Sequence, residues 1–140
     1  MSMTLDDIIK KCKPLQKDLA LYVKFRSIKT GKQDDVYPFI AAKAYSTKRR
    51  LPDGRMVTNV NPETYIAVIM VIDNKKHVKV SCSCPSFNYG GFEYSLAKKG
   101  AADIQYGDGS APDIKNPKRI PGMCKHLVAL RSYVKTKYKF

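Results

Sequence analysis

Tyr65-Ile-Ala-Val-Ile-Met-Val-Ile72, then Asp73-Asn-Lys-Lys76, then His77-Val-Lys-Val-Ser-Cys-Ser-Cys84-Pro85 is the stretch that decides the fold. The first segment is a β-branched run, dense enough to predict a central strand buried on both faces. Asp73 to Lys76 is polar and turns the chain. The third segment alternates with period two and puts Val78 and Val80 on one face. Pro85 lacks an N–H and ends the ladder. Two strands joined by a short turn predict an antiparallel pair.

Working toward the N-terminus, Asn61-Pro62 reads as a further turn, and Ala41–Arg50, Pro52-Asp53-Gly54 and Arg55–Val60 read as a hairpin. Thr30-Gly-Lys-Gln-Asp-Asp35 reads as a polar loop. Leu15 to Phe25 reads both ways: Leu19, Leu21, Val23 and Phe25 alternate like a strand, while Lys17, Asp18 and Ala20 suit a helix. Thr4 followed by Asp6 and Asp7 resembles a helix N-cap with acids in the first turn; Leu5, Ile8, Ile9 and Cys12 recur at helical spacing, and Pro14 ends or kinks the helix. Toward the C-terminus, Glu93 to Lys99 predicts a short helix stopped by Gly100, Tyr106 to Pro121 an irregular loop, and Cys124 onward a helix with Leu127, Leu130 and Val134 on its apolar stripe. The expected architecture is α+β: an antiparallel β-meander of about four strands, an N-terminal helix and a C-terminal helix. Residues 1–35 are expected to form a helical arm and 36–140 the sheet with its metal module, within one compact domain of a 140-residue chain.

The chemistry lies in two short pairs. Cys82-x-Cys84 is answered by Cys124-x-His126. Residues i and i+2 share a strand face, so the first pair can present both sulfurs to one point. The second pair opens a helix, where exposed N–H groups and nearby cations such as Lys125 favour thiolate over thiol. Four cysteines allow two disulfides in three pairings. A bridge across the single residue Ser83 would be strained, so metal ligation is the better reading. Three thiolates and one imidazole are the donor set a tetrahedral Zn²⁺ prefers, and four protein ligands leave no position for water or substrate. One structural zinc is therefore expected, pinning the C-terminal helix to the sheet. Cys12 stands apart and reads as a small buried side chain.

These residues resemble a SWIM-type zinc finger: Tyr65–Ile72, Val78-Lys-Val-Ser-Cys-Ser-Cys-Pro-Ser-Phe87 and Cys124-Lys-His-Leu127 follow its Cys-x-Cys, variable gap, Cys-x-His pattern. The resemblance covers about the second half of the chain and implies a ββα arrangement, here with a long insertion from Pro85 to Met123. It implies a unit that binds DNA or proteins. The insertion, Lys99–Asp103 through Asn116–Gly122, also resembles small SWIM-like proteins of tailed bacteriophages, which makes a virion structural or assembly protein, docking on other virion proteins, the alternative expectation.

Twenty-six Lys and Arg against twelve Asp and Glu leave a net charge of +14. Such a surplus favours nucleic acid or an acidic protein surface as partner. One acid-free stretch, Val36 to Pro52, holds Lys43, Lys48, Arg49 and Arg50; another follows Asp113 and holds Lys118, Arg119, Lys125, Arg131 and Lys135, the last three on the helix face opposite its apolar stripe. These are the candidate phosphate contacts, set against the simpler reading of a solvated cationic surface. Tyr89, Phe92, Tyr94 and Tyr106 read as a small cluster around the metal, or as base-stacking groups. The N-terminus lacks the basic-then-apolar layout of a secretory signal, and no apolar run approaches the roughly 18–20 residues of a membrane span. A host-cell cytoplasmic or virion protein is expected, without membrane or small-molecule partner. Nothing resembles a catalytic constellation: His77 has no nucleophile at recognisable spacing and no phosphate-cradling glycine loop is present, so no enzyme is expected.

Overall fold

The β-branched run and its alternating neighbour form one inner strand and the adjoining edge strand of a four-stranded antiparallel sheet in the computed structural model, which describes residues 3–12, 14–33, 37–85, 87, 92–102 and 122–137. Helices α1 (Leu5–Lys11) and α2 (Pro14–Leu19) and a 3₁₀ turn (Ala20–Tyr22) lead into β1 (Val23–Gln33) and β2 (Tyr37–Ser46). A separate small hairpin, β3 (Lys48–Arg50) and β4 (Met56–Thr58), precedes β5 (Tyr65–Val71) and β6 (Val78–Cys82). Helices α3 (Phe92–Lys98) and α4 (Lys125–Lys137) follow. The sheet order is β1-β2-β5-β6, a meander interrupted only by the hairpin.

Local signals account for most boundaries. Thr4 caps α1 in a full capping box: its hydroxyl accepts the Asp7 N–H at 3.2 Å and the Asp7 carboxylate accepts the Thr4 N–H at 3.0 Å. Pro14 restarts the chain as the first residue of α2, where its missing N–H costs nothing. Between β3 and β4, Gly54 takes φ +91°, and the Asp53 carboxylate accepts both the backbone N–H and the guanidinium of Arg55. Between β5 and β6, Asp73 accepts the N–H groups of Lys75 and His77 and holds the His77 ring at 2.6 Å. His77 thereby closes the turn, and it also forms an antiparallel bridge with Thr4. Gly100, at φ +72°, stops α3 as expected.

Among the described residues the sheet has one covered and one open face. Ile40, Ala42, Ala67, Ile69, Val78 and Val80 point to the covered side. There they join Leu5 and Ile8 of α1, Leu96 of α3, and Leu127, Leu130 and Val134 of α4 in one core. The β6 edge is not left bare: the Val78 N–H donates to the Met3 carbonyl and the Val80 N–H to the Ala101 carbonyl, so the residues before α1 and after α3 shield it. Among the described residues no helix is long and apolar enough to cross a membrane.

The α+β meander agrees with expectation, but four details differ. Ala41–Arg50, expected as one arm of the hairpin, is divided: its first part belongs to β2 of the main sheet, and only Lys48–Arg50 pairs with β4. The chain is helical only as far as Tyr22 within the expected helical arm of 1–35; Val23–Gln33 is a strand of the main sheet. Its alternation is hidden because the pairing with β2 slips between Phe25 and Ser27, leaving Arg26 as a bulge, so that Phe25 and Ile28 lie on the same side despite their three-residue spacing. Thr30–Gln33, expected as loop, pairs with Tyr37–Ile40; Asp34 and Asp35 lie outside the described residues. Gly31 fits because the Phe39 ring lies over it, and a Cβ there would meet that ring at 2.7 Å. Finally, β5 is central but buried on one face only: Ile66 is 45% exposed, and Val68 and Met70 are half-buried.

Candidate metal centre

Cys82 is the last residue of β6, and Cys84 follows where the ladder ends. Ser83 fixes this exit. Its N–H donates to the Ile66 carbonyl at 3.0 Å, and its hydroxyl oxygen accepts the Ile66 N–H at 2.9 Å in place of a strand carbonyl. The backbone between the two cysteines is therefore tied to β5 from both sides. Sequence reasoning passed over Ser83, whose partner is 17 residues away.

The second pair stands at the start of α4. The Cys124 carbonyl accepts the Val128 N–H at 3.0 Å, the first helical bond, so Cys124 occupies the cap and His126 the first turn. Cys12 helps to place this entry: its sulfur accepts the Met123 N–H at 3.2 Å and its sulfhydryl contacts the Ile8 carbonyl at 3.5 Å. Burial is the first cause of its raised pKa, outweighing the Met123 N–H that favours thiolate. The lone cysteine is thus a buried tie between α1 and the approach to the second ligand pair.

The fold brings Cys82, Cys84, Cys124 and His126 together. One ligand atom from each lies within 4.8 Å of the others, and all four residues are buried. The Cys82 Sγ stands 3.9 Å from His126 Nδ1. A tetrahedron with arms of about 2.3 Å has edges of about 3.8 Å, so a single ion fits this set. All four cysteines are free thiols. Mutual proximity pulls the three clustered thiols in different directions. Cys84 is driven toward thiolate by the sulfhydryls of Cys124 and Cys82 and then by His126. Cys124 is driven the other way, first by burial and then by its two sulfur neighbours. For Cys82, the bond with Cys124 favours thiolate, but Cys84 and burial together raise its pKa. Three buried thiolates repel one another, and a dication between them removes the conflict.

Tyr65, at the start of β5, packs against the His126 ring with centroids 5.2 Å apart. Its hydroxyl donates to Glu63 at 2.8 Å. Burial, then Glu63, pushes its pKa up to about 12. The imidazole is therefore oriented by an aromatic ring that is itself anchored. Phe87 and Phe92, from the long segment between the ligand pairs, join the main core and form no separate cluster around the metal site. Tyr89 and Tyr106 and the side chain of Tyr94 lie outside the described residues.

The expected cationic residues separate. Lys43, Lys48, Arg49, Arg50 and Lys135 are exposed, Lys43 on β2 and the next three on the small hairpin. Lys125 is half-buried next to the metal ligands. Arg131 is a correction to the solvent-facing reading: its side chain is only 18% exposed and its guanidinium pairs with Asp6 at 3.0 Å, joining α4 to α1. Lys118 and Arg119 lie outside the described residues. Lys24, Arg26 and Lys29 of β1, missed in the sequence, add to the cationic surface; the signal available was the absence of any acid from Leu19 to Gln33.

No protein-family profile, curated protein or solved structure matches this chain.

Proposed function

We propose that this chain is a non-catalytic structural-zinc module that binds nucleic acid or docks on a nucleoprotein assembly. The observation that carries the reading is the closed, buried set of three sulfurs and one imidazole joining the end of β6 to the start of α4. Soft thiolates select zinc over magnesium, calcium or manganese. Four protein donors fill a tetrahedral shell, which suits a structural ion. Cys-x-Cys on a strand and Cys-x-His at a helix start is also the ββα layout that the SWIM resemblance implies, and supports it. Zinc bound there would neutralise the thiolates and tie the helical layer to the sheet.

The partner class rests on charge. A surplus of +14 on 140 residues suits a polyanion. The test has two parts. Chain purified under reducing conditions is expected to carry about one zinc per molecule by elemental analysis; metal-free, folded protein would end the zinc assignment. Nucleic-acid affinity is expected to fall with salt on a log–log slope near −4, for about five phosphate contacts. An absent or salt-insensitive interaction counts against nucleic acid as partner.

A further inference from the structure

We infer that the open face of the four-stranded sheet is a platform for single-stranded nucleic acid. The inference rests on the proposed nucleic-acid reading and names its surface and substrate class.

Four strand segments, β1, β2, β5 and β6, contain no acidic residue at all. Their registers set the open face out in rows. One row runs Gly31, Phe39, Met70, Lys79; the next Lys29, Ala41, Val68, Ser81; the third Ser27, Lys43, Ile66; the last pairs Lys24 with Tyr45. The middle of this face is apolar and its flanks are cationic. Phe39, Val68 and Met70 are half-buried and Ile66 is exposed, and none of them belongs to the core formed with the helices. At one corner the Arg26 guanidinium lies 4.4 Å above the Tyr45 ring, and its Nε donates to the Thr64 hydroxyl at 3.0 Å. This stacked pair is held in place before any ligand arrives. At the other end of the same strand pair the Phe39 ring lies over Gly31.

Charge and shape choose the occupant. A second copy of the chain would bring the same acid-free cationic face against this one, and like charges would meet. A duplex offers phosphates to the lysines but keeps its bases stacked inside, so the rings and the apolar centre would gain nothing. A single strand offers both: phosphates for Lys24, Lys29 and Lys43, and base faces for Phe39 and the Arg26–Tyr45 pair. Successive same-face residues along a strand lie about 6.6 Å apart, which lets neighbouring rows engage successive nucleotides of an extended strand.

The test is fluorescence anisotropy of the zinc-loaded chain with a labelled oligothymidylate of about 16 nucleotides. The competitors are its duplex, inorganic polyphosphate and phosphatidylserine vesicles. The double variant Lys29→Glu/Lys43→Glu is expected to weaken oligothymidylate binding at least about tenfold at about 50 mM salt. Phe39→Leu and Tyr45→Leu, which keep apolar bulk, are each expected to weaken it about fivefold while leaving polyphosphate competition unchanged. Hydrogen exchange of the wild-type chain should show oligothymidylate protecting β1 and β2, a readout independent of any variant's folding. Tighter binding of the duplex, or identical loss of oligothymidylate and polyphosphate in the leucine variants, overturns the inference. Binding that survives the sheet variants but is lost on reversing Lys48, Arg49 and Arg50 also overturns it, and leaves the proposed function standing on the hairpin. Failure of the wild-type chain to bind any nucleic acid, including the case where it binds only vesicles, removes both.

Discussion

On strand β5 the two faces of the sheet carry similar apolar side chains and meet different surroundings. On β5, Ala67, Ile69 and Val71 are buried under the helices, while Ile66, Val68 and Met70 of the same strand stay exposed or half-buried. The covered face ends in Cys82, so the core runs directly into the cysteine–histidine cluster. The open face carries Lys24, Lys29, Lys43 and Lys79 beside its apolar centre. On β5 burial therefore follows which face receives a second layer, and the hydropathy of that strand alone does not predict it. The helices cover the face that presents Ile40, Ile69, Val78 and Val80, and the cluster at the start of α4 lies at the end of that face.

The largest test of this contrast is removal of the metal. Metal binding in small zinc modules is linked to on the order of 10 kcal/mol of folding free energy. Chelation, or Cys124→Ser, is expected to expose the amides of α4 to rapid hydrogen exchange while the β1–β2 pairing outlasts them. Unchanged protection of α4 after complete chelation would show that the helical layer needs no clasp. Next in size is a matched pair on β5. Ile69→Ala, fully buried on the covered side, is expected to cost about 2–5 kcal/mol in urea unfolding. Ile66→Ala, on the open side, should cost under about 1 kcal/mol. Equal costs would erase the distinction between the faces.

A smaller effect sharpens the picture of the open face. Gly31→Ala puts a Cβ 2.7 Å from the Phe39 ring, yet among the described residues that ring faces no second layer and can swing aside. Stability should stay within about 1 kcal/mol of wild type. A loss of about 3 kcal/mol would mean that this face is packed as tightly as a core. The smallest effect concerns Tyr65 beside His126. Its pKa is raised from 10.0 to about 12 by burial and then by Glu63, so the fold favours the neutral phenol. That contribution is whole below pH 10 and is lost as pH rises toward about 12. An ultraviolet titration should show one tyrosine ionising later than the ordinary value, and Tyr65→Phe should remove that late step.

Much of the covered side was legible from local chemistry. The strands at Tyr65–Val71 and Val78–Cys82, the turns at Asp53-Gly54 and Asp73, and the Gly100 stop all announce themselves within a few residues. So do the four cluster residues, because the Cys-x-Cys and Cys-x-His spacings carry their own chemistry. β1 was not legible, since the bulge at Arg26 breaks period two and Thr30–Gln33 has the composition of a loop. Its strand state comes from pairing with Tyr37–Ile40, a tertiary gain that overrides propensity.

By itself, the amino-acid sequence determined which residues could bind a metal, where β5, β6 and the terminal helices lie, and that the chain is strongly cationic. These depend on side-chain chemistry and on near neighbours. The tertiary structure alone decided which face of the sheet is covered, that Arg131 is tied to Asp6, that Ser83 locks the strand end and that Cys12 holds the approach to Cys124. Those roles rest on partners as many as 125 residues away, and no local pattern encodes a contact that exists only once the chain has closed on itself.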